Sequence, residues 1–85
     1  MDVINNIKLA FLNLKNKNCF FVSEADFQHC FAMELERVFN GMATVLLEFP
    51  IEQHGRIIYI DIMLVHGQSL YPIELKYKTK IIPSE

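Results

Sequence analysis

The chain has 85 residues, a formal net charge of −2 and a hydrophobic fraction of 52%. That length allows one small domain burying roughly two thirds of its unfolded surface, so the apolar excess suggests a homo-oligomer or the remainder of a longer chain, and the acidic balance excludes nucleic-acid binding by global charge. No basic-then-apolar leader opens the chain, no run reaches the roughly eighteen apolar residues of a membrane span, and Cys19 and Cys30 fit neither zinc nor CxxC spacing; the expectation is a soluble, cytoplasmic protein with no membrane partner.

In chain order, Val3, Ile7, Ala10, Phe11 and Leu14 recur at three- and four-residue intervals, which predicts a helix ending near Asn16-Lys17-Asn18. Ser23 followed by Asp26 is an acidic form of the capping box, so a second helix is expected from Glu24 to Asn40, with Gly41 taking the left-handed conformation that closes it. Phe27, Phe31, Leu35 and Val38 form its apolar stripe, and Glu24 and Glu34 fall on the same stripe. A carboxylate there either finds a partner or sits at an edge; Glu24 could equally serve only the positive end of the helix.

After Gly41 the period becomes two. Three strands are predicted at 44–51, 56–65 and 70–81, joined by His54-Gly55 and Gly67-Gln68 turns into an antiparallel meander. The fold class is therefore α+β, with helices on one face of a three-stranded sheet. Residues 1–85 are one domain, in which 1–22 supply a helix and connector and 23–80 the α-β-β-β core. Alternation assigns Ile58, Ile60, Ile62 and Leu64 to a wall under the second helix, and the charges to the opposite face.

A two-residue turn at Gly67-Gln68 puts Asp61 opposite Glu74. Facing carboxylates have Cβ atoms about 5 Å apart and repel unless a proton or cation lies between them. Magnesium, or manganese, is the economical explanation. Lys76, two residues beyond Glu74 on the same face, can steady charge on a phosphate or orient a nucleophile. A turn at His54-Gly55 brings Glu48 opposite Asp61 as well, where it is either a further ligand or an exposed edge residue. Lys76, Lys78 and Lys80 alternate onto one face, as a solvated surface or a local phosphate contact for DNA or RNA.

Ile60-Asp61-Ile62, followed after a turn by Ile73-Glu74-Leu75-Lys76, resembles the signature of the PD-(D/E)XK, or restriction-endonuclease-like, nuclease superfamily. The frame Tyr-Pro-Ile-Glu-Leu-Lys-Tyr, the helix before the sheet and the stretch Ser-Glu-Ala-Asp-Phe-Gln add to the likeness, which covers residues 23 to 80. It implies Asp61 and Glu74 as metal ligands, the Leu75 carbonyl as a third, Lys76 as the catalytic lysine and Glu24 as the helix carboxylate completing the site. Ile60 stands where the family's proline would be. The family usually continues into a further helix and strand, so the resemblance implies a truncated core, completed by a second chain or kept as a fragment, that cleaves DNA or serves as a non-catalytic interaction module.

Overall fold

A computed structural model describes residues 2–17 and 23–75. The expected third-strand residues beyond Leu75, with Lys76, Lys78 and Lys80, lie outside the described residues, as does Cys19. The order of elements is α1 (Val3–Asn16), α2 (Glu24–Phe39), β1 (Thr44–Gln53), β2 (Arg56–His66) and β3 (Ser69–Ile73). Two helices pack against a three-stranded antiparallel sheet of order β1-β2-β3. No described helix is long and apolar enough to cross a membrane.

Each helix is framed by its caps. Asp2 accepts the Asn5 backbone N–H at 3.2 Å and Ser23 accepts that of Asp26 at 3.1 Å, each satisfying a donor that the first turn leaves unpaired. The left-handed residue ending α2 is Asn40, with φ of 50°, one position before the expected Gly41; asparagine tolerates that region, and Gly41 follows with φ of 83°. Val3, Ala10 and Leu14 of α1 meet Phe27, Phe31 and Leu35 of α2, and Phe11 packs edge-on against Phe27 and Phe31. Across α2 the same core takes in Ile62 and Leu64 of β2.

Both sheet registers follow from turn chemistry. His54 and Gly55, with φ of 54° and 75°, close β1–β2 at the Gln53–Arg56 pair. Gly67, with φ of 64°, closes β2–β3 at His66–Ser69. Two-residue turns with such positive φ values make their closing pairs hydrogen-bonded ones.

A regular strand directs alternate residues at alternate neighbours, so Arg56 and His66, an even number of positions apart, should both bond to the same strand. They bond to different ones. The alternation must therefore reverse once inside β2. The place is the single gap in the β1–β2 ladder, where Leu47↔Ile62 and Phe49↔Ile60 pair but Glu48 and Asp61 do not, and where Glu48 takes a left-handed φ of 52°.

This reversal corrects the expectation of one apolar wall. Ile62 and Leu64 enter the core, Ile60 is buried outside that cluster, and Ile58 is 39% exposed. The opposite face is not the charged one expected either: Met63 is buried there between its cross-strand partners Leu46 and Pro72. The β3 ladder stops at Ile73, so Glu74 and Leu75 follow the described strand instead of lying within it.

Candidate functional site

At the reversal point the structure brings together two of the predicted site residues, Asp61 and Leu75, with Glu48 across the gap in the ladder. The described β2–β3 register ends at Ile62↔Ile73, one step short of the Asp61–Glu74 pair that the turn chemistry predicts. In an unbroken ladder the Leu75 N–H would seek the backbone of Ile60, but Ile60 bonds towards β1. The Asp61 carboxylate takes its place: Leu75 N–H donates to Oδ2 at 2.8 Å. This bond fixes one oxygen of a half-buried side chain and anchors the Glu74-Leu75 segment beside it.

The Asp61 carbonyl has left the ladder as well and needs a donor. Gln28 of α2 supplies it, its Nε2 lying 2.6 Å from the Asp61 oxygen and 3.1 Å from Oε2 of Glu48. The left-handed Glu48 backbone thus accompanies a side chain that reaches Gln28. Glu24, exposed at the start of α2, stands one helical turn before Gln28 on the same side of the helix. Glu74 is exposed.

Among the described residues no three or more His, Cys, Asp or Glu side chains form a group able to hold a metal ion. The expected set of Glu48, Asp61 and Glu74 therefore does not converge as three carboxylates; Glu48 is engaged by Gln28. A two-carboxylate set is a different matter. Asp61 and Glu74 offer only oxygen donors, and magnesium is commonly held by one or two carboxylates with water and substrate oxygens filling its octahedron. Their chemistry fits that ion. For Leu75 the structure gives a role to the N–H, whereas the family resemblance implied its carbonyl as a ligand.

No family model, curated protein or solved structure matches the chain.

Glu34, the other acid on the α2 stripe, serves a separate purpose. It is 3% exposed between the helices, where Lys17 Nζ donates to Oε1 at 2.8 Å, Asn13 Nδ2 and Arg37 Nε donate to Oε2 at 3.1 Å each, and Arg37 Nη2 makes a further contact. The Arg37 hydrogen bonds first, and that of Lys17 second, pull its pKa down to about 2 against the opposing effect of burial. This resolves the sequence alternatives in favour of a partnered acid. A hollow of about 210 Å³ beside it is lined by Leu14, Lys17, Cys30, Met33, Glu34 and Arg37, none of them a predicted site residue.

Gln28 is the residue that sequence reasoning passed over, although it closes the Ser-Glu-Ala-Asp-Phe-Gln stretch. Its signal was position: a long amide four residues after Glu24, beside an apolar stripe facing the sheet. What could not be anticipated was the carbonyl awaiting it, because strict alternation hides the reversal.

Proposed function

We propose that the Asp61 junction is the cation site of a metal-dependent phosphodiesterase of the PD-(D/E)XK type acting on DNA, with RNA as the second substrate class. The observation that carries this reading is the Leu75 N–H bond to Asp61 Oδ2, which ties the acid of one strand to the acid-x-lysine segment of the next. In this reading the N–H holds Asp61 in one orientation with Oδ1 left for a cation, Glu74 supplies the second carboxylate, and Glu24 borders the site from the helix. Magnesium or manganese bound there supplies Lewis acidity towards a phosphodiester. Lys76 stands next in sequence to the anchored Leu75, where an ammonium steadies negative charge developing on phosphate; Lys78 and Lys80 contribute backbone phosphate contacts.

A second reading, a non-catalytic interaction or oligomerisation module, is favoured by one observation: Ile57, Tyr59 and Leu70 are each more than half exposed on the sheet. One comparison separates the two. Incubation of assorted DNA and RNA with the protein and magnesium should give cleavage that Asp61→Asn and Lys76→Ala abolish, with calorimetric magnesium binding that Asp61→Asn removes. Magnesium binding indifferent to Asp61→Asn, or none at all, leaves the interaction module.

A further inference from the structure

Gln28 makes two bonds from one nitrogen, both at the point where the sheet breaks its own pattern. The left-handed Glu48 costs roughly 1–2 kcal/mol for a residue other than glycine, and a half-buried carbonyl without a donor costs a comparable amount. The junction persists because something outside the sheet holds it. A mere packing residue at this position of α2 would be apolar; an amide that bridges a main-chain oxygen and a carboxylate sets orientation instead.

We infer that Gln28 is a positioning residue for the Asp61 site: by fixing the Asp61 carbonyl and drawing the Glu48 carboxylate to itself, it aims the Asp61 side chain at the cation and keeps Glu48 from competing for it. The inference rests on the proposed cation site and adds the device that sets its geometry. Both faces of the Asp61 residue are then restrained, the main-chain oxygen by Gln28 and the side-chain Oδ2 by Leu75. Partners that orient ligating groups in this way commonly contribute 10- to 100-fold in metal affinity.

The test uses the full chain, magnesium alone as probe, and the variants Gln28→Met, which keeps length without a donor, and Asp61→Asn. Magnesium affinity is read by calorimetry, and the Leu75 amide resonance reports the bond to Asp61 with and without the ion. The expected result is a folded Gln28→Met protein with magnesium affinity lowered about 10-fold and a shifted Leu75 resonance before any metal is added. Wild-type affinity and an unmoved Leu75 resonance in that variant overturn the positioning role while the cation site stands, provided that Asp61→Asn loses binding. A wild-type protein that binds no magnesium removes the cation site and the inference with it. Should Gln28→Met fail to fold, Gln28→Asn, which keeps an amide too short to span both acceptors, carries the same expectation and the same refutation.

Discussion

Replacing Glu34 with glutamine removes the charge at the centre of the α1–α2 interface while keeping its shape. A carboxyl pKa lowered from 4.5 to about 2 corresponds to about 3 kcal/mol at 1.36 kcal/mol per unit. The Lys17 and Arg37 side chains are 49% and 62% exposed, so solvent screens both and about 1–2 kcal/mol is the better expectation. Because the folded value is depressed, this stabilisation is complete above the unfolded value near 4.5 and disappears as the pH falls towards 2. Urea unfolding followed by circular dichroism at a series of pH values should therefore show Glu34→Gln less stable than wild type at pH 7, by a midpoint difference of about 1 M for a domain of this size. The two curves should converge as the pH approaches 2. A difference that stays constant from pH 7 to pH 2.5 would show that the Glu34 charge contributes nothing, and the account of this interface would fail.

The reversal in β2 predicts an asymmetry between two isoleucines of equal size. Ile62→Ala should cost about 2–5 kcal/mol, and Ile58→Ala under about 1, in chemical denaturation; equal losses would restore the continuous wall. Ser23→Ala should cost about 1 kcal/mol by freeing the Asp26 N–H at the start of α2, with Ser23→Asp close to neutral. Asn40→Gly should be neutral to slightly stabilising and Asn40→Val destabilising by at least about 1 kcal/mol, measured as a shift in Tm, because only a residue at ease with positive φ fits there.

Much of the architecture was legible because the information was local. Ser23, the 3.6-residue spacing of apolar side chains, and the paired turns at His54-Gly55 and Gly67-Gln68 determine where helices begin and which residues face one another across the sheet. The second turn also led to an expected opposition of Asp61 and Glu74, one step beyond the last described pair, Ile62↔Ile73. What stayed hidden was non-local. Two correct hairpins impose incompatible phases on the strand they share, and the conflict shows only when both are considered together; it appears at Glu48 and Asp61, and it redirects Ile58, Ile60 and the end of β3. The same conflict creates the vacancy that Gln28 fills, so a residue with no motif of its own becomes central. Glu34 was legible only as an acid on the apolar stripe, either partnered or at its edge, because its partners Asn13 and Lys17 come from α1 and its C-cap and have no sequence relationship to it.

β1 lies at the border of the sheet, and a chain so rich in apolar residues runs a risk there, since an open strand border can recruit strands from other molecules. Its middle is ill suited to such recruitment. Pro50 carries no N–H, and one residue separates it from the bend at Glu48, so an incoming strand meets a missing donor and a twisted backbone within three positions. The irregularity that shapes the Asp61 junction on one side thus discourages fibrous self-association on the other.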